Sequence, residues 1–335
     1  MMTDHPVPAA VMSALRDARR VLIASHLRPD GDAMGSCLAL AWTLRSMGTE
    51  ALVYNGDGMP PFLGFLPLPC PVLDDLEKLP GDPDLIAVLD CGEASRAGDA
   101  LLPLLDRISS VNIDHHLGNP LFGTAGNWVD PAMSSAGEMA ALIAKAAGLP
   151  LSGALAQALY VAIATDTGNF THGNTTPRSL RLTAEMREGG LDISRLHALL
   201  ENQWGEARFR LWGRLMSDTR ILDGGRLAAA LVTLDALRGC GASRDDAEGF
   251  VDQLRRLAGV RVALLLKEEE KEGALHTKAS LRSSGTDDVR AVAVQFGGGG
   301  HRNAAGAELP LDAGGALAAL LPSIRLIWEQ NGQDA

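Results

Sequence analysis

Aromatic side chains are scarce in this chain: two Tyr, seven Phe and five Trp make up 4% of its 335 residues. A protein that holds a long single strand by stacking its bases needs more such platforms, so that function is disfavoured. Cysteine is scarce too. Cys37, Cys70, Cys91 and Cys240 show no paired spacing, which excludes a disulfide-built miniprotein and fits a reducing compartment. No apolar run reaches the roughly 18 residues of a membrane helix. The stretch from Met1 to Arg20 is polar and helix-like, without the apolar core of a signal peptide. The expectation is a cytoplasmic protein with no membrane partner. Positive charge is the last shortage. The formal net charge is −11, which speaks against long duplex nucleic acid, a partner that usually needs a basic face.

What remains is ordinary for a globular protein: 46% hydrophobic and 21% charged residues, which exclude a disordered chain and a collagen-like fibre. The length suggests about two domains of roughly 150 residues, each able to bury a core. The acidity is uneven. Residues 1–190 hold 12 Lys and Arg against 21 Asp and Glu, and residues 191–335 hold 18 against 20, so the halves carry −9 and −2. Carboxylates gathered around metal ions would produce that excess, as would a solvated acidic surface.

The first half alternates strand-like and helix-like stretches. Val21–Ser25, Ala51–Asn55, Leu85–Asp90 and Ser109–Asp114 read as strands; Ser36–Met47, Ser135–Ala147 and Ala154–Ala164 read as helices. That alternation predicts an α/β fold with a doubly wound parallel sheet, whose ligands sit beyond the carboxyl ends of the strands. Ile193–Thr219 reads as a helical connector. Beyond it, Leu227–Leu234, Val260–Lys267 and His276–Arg282 read as strands, with helices at Arg244–Ala258, Val289–Phe296 and Ala316–Glu329. The charged run Lys267–Glu272 reads as a hairpin tip in water. The domains expected are 1–190, a connector at 191–220, and a smaller α/β domain at 221–335.

Polar residues follow the predicted strands in a pattern. Val21–Ser25 runs into His26-Leu27-Arg28-Pro29-Asp30-Gly31-Asp32. Leu85–Asp90 ends on a carboxylate, the next strand ends in Asp114-His115-His116, and Asp166 closes the apolar stretch Leu159–Ala164. Taken as successive strand ends, these residues converge on one sheet edge. Uncompensated carboxylates so placed would repel and raise one another's pKa, a cost that divalent cations remove. Mixed Asp and His donors suit a borderline metal such as Mn²⁺. Two ions about 3.5–4 Å apart clamp a phosphate and acidify a bridging water. The spacing itself points to a dinuclear phosphoesterase.

These segments resemble the motifs of the DHH phosphoesterase superfamily. Asp114-His115-His116 looks like its signature, His26 to Ser36 like its first motif, and Leu89-Asp90-Cys91 and Thr165-Asp166-Thr167-Gly168 like its second and fourth. The resemblance implies that His26, Asp30 and Asp90 hold one Mn²⁺ while Asp32, Asp90, His115 and Asp166 hold the other, with Mg²⁺ or Co²⁺ as substitutes. It implies that Asp90 bridges, that a bridging hydroxide is the nucleophile, that Asp114 supports the site from behind, and that His116 faces the substrate phosphate.

The second strong feature is Gly297-Gly298-Gly299-Gly300-His301-Arg302-Asn303-Ala304-Ala305-Gly306. Glycine lets backbone N–H groups approach a ligand, and successive amides form an anion-binding nest. The segment resembles the GGGH motif of the DHH-associated C-terminal domain, and Ala279–Ser283 resembles its arginine-bearing strand. The resemblance implies that Arg282 and His301, with Arg302 and the amides of Gly298, Gly299 and Gly300, grip the phosphate and terminal nucleotide. It places the active site in a cleft between the two domains. Arginine suits the task because its planar fork donates two bonds at once.

Other residues are ambiguous on sequence alone. Arg96 is a candidate phosphate contact. Ser134-Ser135-Ala136-Gly137-Glu138 reads as a helix start. His172 lies near the fourth motif, Cys91 reads as a core thiol, and Trp204 and Trp212 as core or interface. Length and domain pairing look most like the bacterial subgroup that degrades very short RNAs and dephosphorylates 3′-phosphoadenosine 5′-phosphate (pAp). The alternatives are a linear or cyclic dinucleotide phosphodiesterase, a RecJ-like single-strand DNA exonuclease, a family II pyrophosphatase, and a nucleotide-binding regulator with a dead metal site. A homodimer is also expected from the resemblance.

Overall fold

Strands that are covered on both faces read as unbroken apolar runs, and the central strands of the first sheet do so. The computed structural model describes residues 7–202, 204–271 and 273–331, with 329–331 described by backbone alone. The first six residues of the expected N-terminal helix and Glu272 of the expected tip lie outside the described residues. The chain divides into two compact units, 1–203 and 204–335.

The first unit runs α1 (Ala9–Asp17), β1 (Arg20–Ala24), α2 (Gly31–Ser46), β2 (Glu50–Tyr54), β3 (Val72–Leu73), β4 (Leu85–Leu89), α3 (Leu102–Leu105), β5 (Ser110–Asp114), β6 (Gly126–Val129), α4 (Ala136–Ala146), α5 (Gly153–Asp166), α6 (Pro177–Glu188) and α7 (Ile193–Glu201). Its six strands stand in the order β3-β2-β1-β4-β5-β6, and every neighbouring pair is parallel. The chain moves outward from β1 and then returns to β4 on the other side. That reversal opens a crevice beyond the carboxyl ends of β1 and β4, where open α/β sheets bind ligands.

Alternate residues divide between the faces. Val21, Ile23, Ala87, Leu89, Val111 and Ile113 join the large core under α2, α4 and α5. Leu22, Ala24, Ile86 and Val88 pack on the other side with Ala97, Leu101 and Leu104. Helix α2 is buried almost all round, packed among α4, α5 and the sheet, as its apolar sequence requires. The strand β6, Gly-Asn-Trp-Val, escaped the sequence reading because it is short and half polar.

The second unit runs α8 (Glu206–Asp218), β7 (Arg220–Leu222), β8 (Leu227–Val232), α9 (Leu234–Cys240), α10 (Phe250–Leu254), β9 (Val262–Lys271), β10 (Ala274–Ser283), α11 (Val289–Val294), β11 (Gly299–His301), β12 (Ala304–Leu309) and α12 (Ala313–Asn331). Its sheet order is β11-β12-β10-β9-β8-β7. Only β8 and β9 pair in parallel; the other pairs are antiparallel. One face packs on α8, α9 and α10, the other on α11 and α12.

Three expectations change here. Arg244–Ala258 is not one helix: a 3₁₀ turn at Asp245–Ala247 and α10 are separated by Gly249 at φ 80°. The stretch Ile193–Thr219 is two helices, one in each unit. Lys267 and Glu268 are buried in β9 rather than at a wet tip. Glu268 is held there because it accepts the backbone N–H groups of Leu234 at 2.9 Å and Ala313 at 3.0 Å, satisfying the starts of α9 and α12. No described helix is long and apolar enough to cross a membrane.

Candidate metal centre

Beyond β1 the chain turns sharply. His26 Nδ1 lies 2.8 Å from the Leu27 carbonyl. Donating its proton there leaves Nε2 as the lone-pair nitrogen, 3.5 Å from Asp90 Oδ2. Arg28 takes a left-handed φ of 54°, and its N–H donates to Asp57 Oδ2 at 2.6 Å. Asp30 then caps α2 by accepting Ala33 N–H at 2.9 Å.

Asp32 lies in the first turn of α2 and is buried. Its two oxygens accept the N–H groups of Ala136 at 2.7 Å and Gly137 at 2.8 Å, the first amides of α4. A helix N-terminus favours negative charge, which explains how a carboxylate is tolerated at this depth. Gly137 makes the approach possible: a Cβ there would lie 2.3 Å from Ala162 Cβ and 3.2 Å from Asp32 Oδ1.

Asp90 follows β4, buried and in a left-handed φ of 52°. Its Oδ1 lies 3.4 Å from His115 Nε2 and 3.6 Å from His116 Nδ1 but makes no well-formed hydrogen bond. His115 Nε2 also lies 3.7 Å from Asp32 Oδ2 and 3.8 Å from Asp166 Oδ2. His116 faces Asp114, with Nδ1 and Oδ1 at 2.8 Å. Asp114 is wholly buried and accepts a second bond from Asn119 Nδ2 at 2.7 Å. Asp166 is a correction to the strand-end picture: it is the last residue of helix α5, and Asp32 is likewise on a helix. Only His26, Asp90 and Asp114-His115-His116 stand at strand ends.

The electrostatics follow from this crowding. Burial, then repulsion from Asp90 and Asp166, pushes the Asp32 carboxyl well up. Burial likewise raises Asp166, with Asp90 and Asp30 adding to the effect. Burial opposes ionisation of Asp90 as well, but His115 and His26 overcome it and hold Asp90 below the usual carboxylate range. Hydrogen bonding to Asp90 lifts His26. Burial pulls His115 down, yet Asp90 and Asp166 raise it overall. Asp114 raises His116. The carboxylates favour the protonated form of each imidazole, and a divalent cation would meet the same demand for positive charge in place of a proton.

In the second unit, Arg282 of β10 and His301 of β11 each sit opposite Ala304 of β12. They therefore share one face of the sheet, in a row at its edge. Arg282 Nε is 4.0 Å from Asp252 Oδ1, and Nη1 donates to the Leu281 carbonyl at 3.0 Å. Arg302 points elsewhere, donating to the Thr286 carbonyl at 3.2 and 2.7 Å. The glycines also have a packing reason. A Cβ would lie 2.1 Å from the Gly306 carbonyl oxygen at Gly298, and 2.5 Å from that of Ala304 at Gly300; Gly299 has open space. In the first unit, Arg96 is exposed and its carbonyl accepts Leu27 N–H at 2.8 Å, tying its loop to the His26 turn.

Two family models match this chain, "DHH family, N-terminal domain" over residues 20–163 and "DHHA1 domain" over residues 224–325. A Thermus thermophilus protein named bifunctional oligoribonuclease and PAP phosphatase NrnA is 36% identical over 306 residues, covering 91% of this chain and 89% of the relative. The chain belongs to the DHH phosphoesterase family. A Bacillus subtilis protein of the same name is 28% identical, covering 86% of this chain and 89% of its own. The crystal structure of an exopolyphosphatase-related protein from Bacteroides fragilis aligns with a TM-score of 0.83 at 26% identity, over 97% of this chain and 99% of that one. A DHH-family chain is a hydrolase, as its motifs suggested.

The DHH site suits divalent cations on its own geometry. Donor atoms of His26, Asp30 and Asp90 lie within 4.8 Å of one another, as do those of Asp32, His115 and Asp166, and those of Asp90, His115 and His116. Asp90 Oδ1 is a buried acceptor that no donor among the described residues meets in hydrogen-bond geometry, as expected of a ligand oxygen that faces a cation. Carboxylate and imidazole donors match a borderline divalent metal.

Sequence reasoning missed the residues that brace this DHH cluster. Asn119 holds Asp114 and is itself held by Asn112, whose Oδ1 accepts from Asn119 Nδ2 at 2.8 Å. Glu138 is wholly buried and pairs with Arg178. His172 lies with Nδ1 3.3 Å from the Asp166 carbonyl. Cys91 is a core thiol, pushed up to about 11 by burial. Trp212 is core, but Trp204 is 46% exposed, so only one of the pair fits the core reading.

Proposed function

We propose that this protein hydrolyses very short oligoribonucleotides to nucleoside monophosphates and pAp to AMP, using two divalent cations, preferably Mn²⁺. The observation that carries the proposal is the arrangement around Asp90. His26, Asp30 and Asp90 form one candidate group, Asp32, His115 and Asp166 form another, and Asp90 Oδ1 lies 3.4 Å from His115 Nε2. One carboxylate can thus serve both ions, with Mg²⁺ or Co²⁺ as substitutes. Bound cations would lower the pKa of water and clamp the phosphate oxygens.

The protein's own groups do the rest. Asp114 accepts the Nδ1 proton of His116, which fixes the ring and leaves Nε2 as its second nitrogen. Half-exposed, Nε2 donates a proton to the departing oxygen. Arg282 and His301, on one sheet face with Ala304 between them, bind the terminal phosphate and nucleotide; Arg96 contributes from the first unit. The relatives named for oligoribonuclease and PAP phosphatase activity support this substrate class. The net charge of −11 and the 4% aromatic content disfavour a long polynucleotide.

A substrate panel in Mn²⁺ tests the proposal. Short RNAs, linear diribonucleotides among them, and pAp should be hydrolysed in preference to cyclic dinucleotides, pyrophosphate and long single-stranded DNA. Preference for pyrophosphate or long DNA would refute it, and preference for a cyclic dinucleotide would move the assignment to a dinucleotide phosphodiesterase.

A further inference from the structure

Asp32 and Asp166 come from different helices, α2 and α5, yet they belong to one candidate cation group. Neither helix holds the other's carboxylate. The connection runs through the segment that starts α4. Ala136 and Gly137 N–H donate to Asp32. Two residues earlier, the Ser134 carbonyl accepts from Asn174 Nδ2 at 2.9 Å. The same amide nitrogen donates to Asp166 Oδ2 at 3.0 Å and lies 3.2 Å from the Asp166 carbonyl. Asn174 therefore ties the Asp166 carboxylate to the peptide stretch whose next amides hold Asp32.

That stretch is itself anchored by an ion pair whose carboxylate, Glu138, is wholly buried and whose guanidinium, Arg178, is partly exposed. Glu138 Oε2 accepts Ser134 N–H at 2.9 Å and Ser134 Oγ–H at 2.5 Å. It also accepts Thr176 Oγ1–H at 3.1 Å, and its other oxygen takes the Arg178 guanidinium. Thr176 and Arg178 flank the start of α6, two and four residues beyond Asn174. The pair thus fixes both ends of the Asn174 link, Ser134 on one side and the 174–178 segment on the other. Among the described residues Glu138 belongs to none of the candidate cation groups.

We propose that Asn174 is a positioning residue that sets the Asp166 carboxylate against Asp32 for one of the two cations, with Glu138–Arg178 as its anchor. The proposal rests on the dinuclear reading above. Groups that orient a ligand tune affinity about 10–100-fold, and this one acts on the Asp32–His115–Asp166 group alone. His26, Asp30 and Asp90 make no hydrogen bond to Asn174, so the other cation is indifferent to it.

The test is a Mn²⁺ titration of metal-free full-length protein, followed by the paramagnetic resonance of unbound Mn²⁺, which needs no turnover. Asn174 is exposed and outside any helix or strand, so Asn174→Ala should fold, and its melting curve checks this. Wild type should take up two ions. Asn174→Ala should keep one at wild-type affinity and weaken the other about 10–100-fold. Asn174→Asp, which replaces the donor with a like charge, should weaken it further. Raising Mn²⁺ by the same factor should restore kcat with KM unchanged, which a merely structural defect would not allow. Two unchanged affinities, or equal weakening of both, would overturn the bracing role and leave the hydrolase reading standing. A wild type that takes up no Mn²⁺ would overturn the dinuclear reading, and this inference with it.

Discussion

Glycine-to-alanine substitution inside a helix normally stabilises, by about 0.5–1 kcal/mol. At Gly137 the sign should reverse. The added Cβ would sit 2.3 Å from Ala162 Cβ, 3.2 Å from Asp32 Oδ1 and 3.3 Å from Ile163 N. Carbon atoms rest about 3.5–4.0 Å apart, so α5 must retreat from α4 by roughly an ångström. The neighbour is a methyl fixed to a buried helix, so no flexible side chain can absorb the shift. Overpacking of this kind costs about 1–3 kcal/mol, which outweighs a propensity gain of about 1 kcal/mol. A contact of 2.3 Å belongs in the upper part of that range, about 2–3 kcal/mol, so the net expected is a loss of about 1–2 kcal/mol, or a Tm lower by roughly 2–8 °C at about 2–4 °C per kcal/mol. Gly213 is the control: it is exposed within α8, and nothing lies within 4 Å of its added Cβ. Gly213→Ala should raise Tm by about 1–4 °C. Both variants can be followed by scanning calorimetry of the metal-free full-length protein. The Tm gain on adding Mn²⁺ should also shrink in Gly137→Ala, because the displaced α4 amides no longer hold Asp32. A Tm for Gly137→Ala at or above wild type would refute the close-packing argument.

Two other outcomes follow from the same geometry. Metal-free protein should lose stability as pH rises from about 5 to 8. His26, His115 and His116 titrate above their ordinary value, about 6.5, in the folded state. Their stabilisation is full below the unfolded value and disappears as pH passes the folded one. Asp32 and Asp166 are raised too and act in the same direction; Asp90 and Asp114, which are lowered, act only at more acidic pH. A metal-free Tm that is flat or rising over this range would contradict the assignment of the charge balance. Arg282→Ala should raise KM for pAp severalfold with little change in kcat, measured at saturating Mn²⁺; a loss confined to kcat would contradict the gripping role.

The polar residues of the site were legible because three of them terminate apolar runs. His26, Asp90 and Asp114 each follow a strand buried on both faces, and the alternation of strands and helices placed those strands in one parallel sheet. Asp166 closes an apolar stretch that itself reads as a helix, Ala154–Ala164; grouping it with strand ends conflicts with that reading, and the structure places it at the end of α5. Asn174 and Glu138 were not legible as bracing residues. The partners that matter, Asp166 for Asn174 and Thr176 and Arg178 for Glu138, lie 8 to 40 residues away; the Ser135-to-Glu138 spacing signals only a helix start, and Asn174 has no spacing signal. Lys267 and Glu268 were misplaced for a related reason. A charged run normally marks a solvated tip, but here Lys267 pairs with Glu248 and Glu268 satisfies two helix starts, contacts that exist only in the folded unit.

Asp90 is the residue on which the proposed hydrolysis turns. Asp90→Asn keeps the shape and tolerates the left-handed φ of 52°, while removing the negative charge that both cations would share. Hydrolysis of pAp at saturating Mn²⁺ should fall to background in this variant, with a cooperative melting transition retained. Turnover near the wild-type rate would contradict the account.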